Sequence, residues 1–310
     1  MSMRSPSAKL WLALATVYVV WGSTYLGIKL AVRTLPPVLT AGTRFLLASA
    51  ILAGILGLLG RSLRTTRREA LAAAGLGVLL LACGVGLVHV AETRIDSSVA
   101  AMIAGSVPLQ IVVWRTLARD RVAPQTVAAA AVGLLGLALI VVPGGFDGGS
   151  AAVGLVVMLF ASLCWSRGSF ISRRVRLPAD PFVATTYEML GGGVVLVALG
   201  TALGEWRDLG DGALQAGPLA AWLYLAVAGS VVGFSAYVWL LGNAPISQVV
   251  THQYVNPLVA IALGAALLGE RPSATVAVGA ALIIGAVVVT VRQEARPAPA
   301  GEAAAPVRAR

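Results

Sequence analysis

The chain has 310 residues, 58% of them hydrophobic and 12% charged, with a formal net charge of +10. A soluble domain carries roughly 25% charged residues, which excludes a pair of ordinary soluble domains. The positive balance does not signal nucleic acid, because no basic stretch is interleaved with the aromatics that strand-binding surfaces use.

Ten apolar blocks are predicted as membrane-crossing helices: 10–32, 38–59, 70–91, 98–118, 124–142, 152–172, 182–203, 217–241, 247–268 and 273–291. Each is near the roughly 20 residues that cross about 30 Å of hydrocarbon. Their continuous Leu/Ala/Val/Gly character, in place of alternating polarity over about ten residues, excludes a β-barrel. The first block is longer than the roughly 7–15 apolar residues of a signal peptide and is read as a retained helix. Within it Trp21, Thr24 and Tyr25 recur at i, i+3 and i+4 on one face. They are read as facing a watery cavity, with interhelical hydrogen bonding as the alternative. Lys29, close to the block's end, is expected to snorkel to the outer interface.

In the second block Arg44 lies about 9 Å below the boundary at 1.5 Å per residue, deep enough to require a partner or a water-filled cleft. Glu92, ending the third block, is the nearest carboxylate by depth and Asp96 the alternative. Arg44 is read either as structurally paired or as holding a substrate carboxylate. Cys83 and Cys164 have no C-x-x-C or His/Cys spacing, so they are packing residues and no metal site is expected. In the fourth block Ser98, Met102, Ser106 and Pro108 are read as facing the same cavity. In the seventh, Glu188 is either satisfied by burial against Tyr187 or the loop arginines, or exchanges a proton. Gly191 to Gly193 and the Gly229/Gly233 pair mark close helix approach.

The ninth block is the most polar. Ser247, Thr251 and Tyr254 form one stripe and Gln248, His252 and Asn256 another, one of which is expected to face the cavity. Pro257 is expected to break this helix and free carbonyls, as Pro108 does in the fourth. His252 is either hydrogen-bonded packing or a proton carrier, and Tyr254 and Trp21 are expected to line the substrate path. The tail 293–310 is Pro/Ala-rich and read as disordered.

With the N-terminus taken as cytoplasmic, sixteen of the 23 lysines and arginines fall in inner segments and four in outer loops. The positive-inside rule therefore places both termini in the cytoplasm, and the basic segments contact anionic lipid.

Two ungapped offsets relate the halves of the chain. An offset of 149 places Pro108 on Pro257, Thr126 on Thr275 and Gly136 on Gly285, and an offset of 144 places Trp21 on Trp165 and Arg44 on Glu188. Each half, 10–142 and 152–291, has five predicted helices. Five is odd, so the second half enters from the opposite side, giving an inverted repeat of the kind that surrounds a midplane transport site.

The stretches WGSTYLGIKLAV (21–32), AGTRFLLASAIL (41–52), HVAETRIDSSVAAMI (89–103) and YVNPLVAIALGAALLGERPS (254–273) resemble EamA-type transporters of the drug/metabolite transporter superfamily. The resemblance covers 10–291. It implies an all-α membrane protein, ten helices in two inverted five-helix repeats around a central cavity lined mainly by helices 1, 3, 4, 6, 8 and 9. It further implies export of amino acids, related metabolites or drugs across the bacterial inner membrane by alternating access. One departure is Glu270, which aligns with Arg121. No Walker A, strand-linked G-x-G-x-x-G or H-E-x-x-H motif occurs, so no cofactor is expected and gradients must drive transport. The alternatives are a passive channel or membrane scaffold and, below these, an intramembrane enzyme using His89, Glu92 and His252, for which no nucleophile or metal set is present.

Overall fold

The computed structural model describes residues 8–120, 122–141, 149–209, 214–244, 249 and 251–294. Ser247, Gln248, Arg121 and, beyond its first two positions, the 293–310 tail lie outside the described residues, as do the side chains of Gln253 and Tyr254.

The described residues form ten helices. The first half holds α1 (Ala8–Ala31), α2 (Pro37–Leu58), α3 (Arg67–Glu92), α4 (Ser97–Leu117) and α5 (Pro124–Val141). The second holds α6 (Ser150–Ser172), α7 (Pro181–Ala202), α8 (Ala216–Leu241), α9 (His252–Leu263, running on over Gly264–Leu268) and α10 (Ala274–Glu294). Seven are long and apolar enough to cross a membrane, while α5, α9 and α10 carry shorter apolar stretches. Large apolar side chains such as Leu12, Leu58 and Leu135 stand exposed on the outside of the bundle, a surface suited to lipid and costly in water.

Local chemistry sets the helix ends. Proline opens α2, α5 and α7, where its missing N–H costs nothing. A capping box starts α3: the Glu69 N–H donates to Thr66 Oγ1 at 3.2 Å and the Thr66 N–H to Glu69 Oε2 at 3.3 Å. Gly60 after α2 and Gly204 after α7 take left-handed φ of 68° and 78°, so the two halves terminate their second helices alike.

The prolines behave differently from one another. α4 divides at Ser106, with Pro108 in the first turn of its second segment. α9 instead continues through Pro257, correcting the expected break. Pro257 lies in the second turn of that helix, so its ring removes only the bond to the carbonyl four residues back.

Among the described residues three helices widen to i→i+5 turns, α3 over Val78–Gly86 and α8 over Leu225–Val232 at matching places, and α9 over Gly264–Leu268. Such turns are rare and concentrate at functional sites. Each half also packs a helix against its repeat counterpart, α2 along α7 and α5 along α10. At the second crossing a Cβ on Gly136 would lie 2.7 Å from the Gly279 carbonyl oxygen, and one on Gly279 would lie 2.6 Å from that of Gly136. Only glycine allows backbones so close without driving them apart.

Polar links join the halves at both ends of the bundle. At one end Arg61 pairs with Asp180 at 2.5 Å, Arg174 with Asp120 at 2.5 Å and Arg176 with Glu69 at 3.1 Å. At the other, the Glu205 carboxylate accepts the Val38 and Leu39 N–H groups at 3.2 and 2.7 Å. There too the Glu270 carboxylate accepts from Ser97 N, Ser97 Oγ and Ser98 N at 2.9, 2.7 and 3.0 Å. Glutamates from the second half thus cap α2 and α4 of the first, satisfying otherwise orphaned donors where the helix dipole favours an anion. For Glu270 burial alone would push the carboxyl up, but the hydrogen bonds from Ser98 and Ser97 outweigh it and hold it below its ordinary value.

Candidate functional site: a central cavity with one cationic pole

Between the halves lies a cavity of about 140 Å³. At roughly 10–15 Å³ of such space per water, it has room for a solute of about ten non-hydrogen atoms. Its wall is built from α1, α2, α3, α4, α6, α8 and α9. The widened turns of α3 and α8 both line it, the first with Leu81, Gly84 and Val85 and the second with Gly229 and Ser230.

One part of the wall is aromatic. Trp21 donates its indole N–H to the Gly229 carbonyl at 3.2 Å. Its ring packs against Phe234 at 5.2 Å, Tyr237 at 5.0 Å and His252 at 5.3 Å between centroids. His252 is anchored by Nδ1 against the Val249 carbonyl at 2.8 Å. A Cβ on Gly233 would lie 2.4 Å from the Trp21 indole nitrogen, which is why α8 is bare at that point. Trp165 of α6 lines the cavity as well, and Asn256 brings an amide oxygen without a hydrogen-bond partner.

The opposite character comes from Arg44. It lines the cavity from α2, is 5% exposed, and leaves Nε and Nη1 without a partner. Its guanidinium lies 4.5 Å from the centre of the Phe45 ring. Behind it stand His89 and Glu92 of α3, both fully buried. Lys29 is held by protein acceptors: its ammonium donates to the carbonyls of Glu92 and Ile95, each at 2.7 Å. It thereby caps the C-terminal end of α3, where a cation suits the dipole.

The residues singled out in the sequence distribute as follows. Trp21, Thr24, Tyr25, Arg44, His252 and Asn256 line the cavity. Ser106 sits in the wall behind it, where Gln110 Nε2 donates to Ser106 Oγ at 2.9 Å and to the cavity-lining Ser162 Oγ at 3.0 Å. Met102 and Pro257 pack away from it, with Ile283 and Val287 of α10. Thr251 hydrogen-bonds the Tyr18 hydroxyl. Glu188 belongs to the α3/α7 crossing, where a Cβ on Gly77 would overlap the Glu188 carbonyl. Trp165, Phe45, Phe234, Ser162 and Ser230 line the cavity without having been singled out. Trp165 carried a usable signal, since the offset of 144 aligns it with Trp21. Cys83 and Cys164, distant in sequence, are close enough for their side chains to interact across α3 and α6.

Two five-helix halves around a polar-and-aromatic cavity, with apolar flanks, define a membrane transporter. The profile of the EamA-like transporter family matches twice, over residues 8–142 and 152–292, and the chain belongs to that family. It is similar to the uncharacterized inner membrane transporter YedA of Escherichia coli (strain K12), with 36% identity over 282 residues that cover 89% of each chain. Protein PecM of Dickeya dadantii is 26% identical, with 87% of this chain and 88% of that protein covered. A solved crystal structure shares the fold at a TM-score of 0.62 and 21% identity, covering 94% of this chain and 100% of its own.

Proposed function

We propose that the protein is a secondary transporter that exports small amphipathic solutes with a carboxylate, such as apolar amino acids, across the bacterial inner membrane by alternating access. The observation that carries this reading is Arg44, a buried guanidinium with two unpartnered nitrogens at a cavity otherwise walled by rings and small hydroxyls. A carboxylate supplies the acceptors that Arg44 lacks, and Trp21, Trp165 and Phe234 offer surface for an apolar side chain. The inverted halves supply two conformations of comparable energy. Both termini are cytoplasmic in this reading, by the distribution of arginines, and the inner-membrane location agrees with the name of the YedA relative.

Proteoliposomes loaded with labelled apolar amino acids test it. Efflux that follows the solute gradient is expected, reduced by Arg44→Gln on the order of tenfold to a hundredfold, the worth of a charge-assisted hydrogen bond. Gradient-independent leakage, or no flux for any of the amino acids, overturns the reading. A reporter active only outside the cytoplasm should be silent fused after Arg310 and active inserted at Gly148; the reverse pattern inverts the orientation.

A further inference from the structure

Among the described residues three glutamates, Glu92, Glu205 and Glu270, are buried, and two of them explain themselves. Glu205 and Glu270 are each filled by N–H donors at a helix start. Glu92 differs: it is 0% exposed and neither carboxylate oxygen has a hydrogen-bond partner. A buried polar group without a partner is uncommon enough in a native fold to require an explanation, and helix capping is not available to this one.

Its surroundings supply charge without contact. Arg44 of α2 is an electrostatic neighbour whose Nε and Nη1 are unpartnered, so the two groups attract without being locked together. Lys29 of α1 is spent on the backbone carbonyls of Glu92 and Ile95. Tyr25 of α1 and His89, one turn back on α3, complete the shell, with Glu270 beyond them. The Nδ1 of His89 is occupied by the Val85 carbonyl at 2.9 Å, while Nε2 has no partner. Along the facing stretch 150–163, α6 carries no titratable side chain. Arg44 lines the cavity whereas Glu92 and His89 stand behind it, so an entering solute meets the guanidinium first.

We infer that Glu92 is a proton-coupling site: when a solute carboxylate docks on Arg44, Glu92 takes up one proton from the aqueous phase and releases it when the solute leaves. This rests on the carboxylate reading of the cavity. Burial and the nearby Glu270 disfavour a charge on Glu92 while Lys29 and Arg44 favour it, and the incoming anion tips that balance towards the proton by occupying the Arg44 guanidinium and adding a like charge nearby. At an effective dielectric of about 20, a unit charge arriving within about 6 Å changes proton affinity on the order of a hundredfold. Charge balances, because one negative carboxylate and one proton enter together and the buried cluster keeps its net charge in both states. Export of a solute with a single negative charge is then electroneutral. It runs outward only when the solute gradient exceeds the opposing proton gradient, as in an overflow carrier.

The test is a proton count on the full-length protein in detergent, in weakly buffered solution with a pH indicator. The probes are 3-phenylpropionate, L-phenylalanine and phenethylamine, which share a ring and differ in carrying a carboxylate, both charges or an amine. Calorimetry in two buffers of different ionisation enthalpy gives an independent count and needs no variant. The expected result is binding of the two carboxylates with proton uptake approaching one per molecule at neutral pH. Glu92→Gln should take up none, and its affinity should no longer weaken as pH rises. Carboxylate binding with no proton uptake by the wild type overturns this inference and leaves the transport reading standing. Failure of both carboxylates to bind overturns the two together. Phenethylamine binding with proton release that Glu92→Gln abolishes also overturns it, because Glu92 would then be recognising a cation directly.

Discussion

The capping of α4 by Glu270 can be tested in isolation from transport. In Glu270→Gln the amide oxygen can replace Oε1 and still accept from Ser97 N and Oγ, but the amide nitrogen then faces the Ser98 N–H, donor against donor. One charge-assisted bond, worth about 1.5–3 kcal/mol, is lost and two others become neutral and weaker. The favourable interaction with the helix dipole disappears as well, about 0.3–1 kcal/mol. Against this stands the relief of burying a charge, which leaves a net destabilisation of about 2 kcal/mol. For a chain somewhat larger than those giving about 2–4 °C per kcal/mol, the melting temperature should fall by roughly 5 °C, measured by thermal unfolding in detergent at neutral pH. The pH dependence has a definite sign. The hydrogen bonds hold the Glu270 carboxyl below its ordinary 4.5, so its stabilisation is fully present above that value and is lost as pH falls through the folded one. The gap between wild type and variant should be constant at neutral and mildly acidic pH and close below about pH 4.5. Gly264→Ala attacks the same cap from behind, since a Cβ there would lie 2.5 Å from Glu270 Oε2, and should melt low as well. A Glu270→Gln variant that melts with the wild type at neutral pH, or a gap that persists unchanged in acid, would refute the reasoning.

Further expectations concern packing and the links between halves. Gly136→Val should abolish the monodisperse peak on size-exclusion chromatography, because its Cβ meets the Gly279 backbone, whereas Gly285→Val, with nothing within 4 Å, should leave that peak intact; equal behaviour of the two would show that the α5/α10 crossing is not glycine-dependent. Asp120→Arg should lower thermal stability by about 0.2–1 kcal/mol, as expected of a partly exposed pair, and Asp120→Arg with Arg174→Asp should restore it; no recovery in the double variant argues against the pair. Mild oxidation should join Cys83 to Cys164, seen as a linked peptide by mass spectrometry and reversed by dithiothreitol; free thiols under conditions that oxidise a surface cysteine would place the two helices further apart.

Much of the architecture follows from composition alone, because a membrane span announces itself by length and greasiness. The predicted block 38–59 and the observed Pro37–Leu58 differ by a single residue at each end. Helical spacing was sufficient to put Trp21, Thr24 and Tyr25 on one face, and depth alone marked Arg44 as needing company. The widened turns of α3 and α8 were invisible, since a shift from i→i+4 to i→i+5 bonding leaves no trace in apolar periodicity. The role of Glu270 was hidden for another reason: its donors, Ser97 and Ser98, are far away in sequence and belong to the other half. Lys29 illustrates a competition that sequence cannot adjudicate. A lysine near a helix end can reach headgroups or a neighbouring helix's carbonyls, and here packing against α3 placed the carbonyls within 2.7 Å.

An inverted repeat makes two backbones alike without making two chemistries alike. In this chain the shared features are structural: Trp21 and Trp165 both line the cavity, α3 and α8 widen at matching turns, and the second helices end on left-handed glycines. The cation that lines the cavity and the buried ionisable pair behind it belong to the first half. Arg44 faces the cavity while its counterpart Glu188 lies at the α3/α7 crossing, and the stretch of α8 corresponding to His89 and Glu92 carries no ionisable pair. In the proposed alternating-access cycle, backbone symmetry supplies two states of similar energy, whereas charge asymmetry gives the cavity a single cationic pole that is carried through both. In the proposed carboxylate reading, a solute held at that pole is presented to either side of the membrane by the same arginine, and the proton inferred to accompany it is bound by the same half of the molecule.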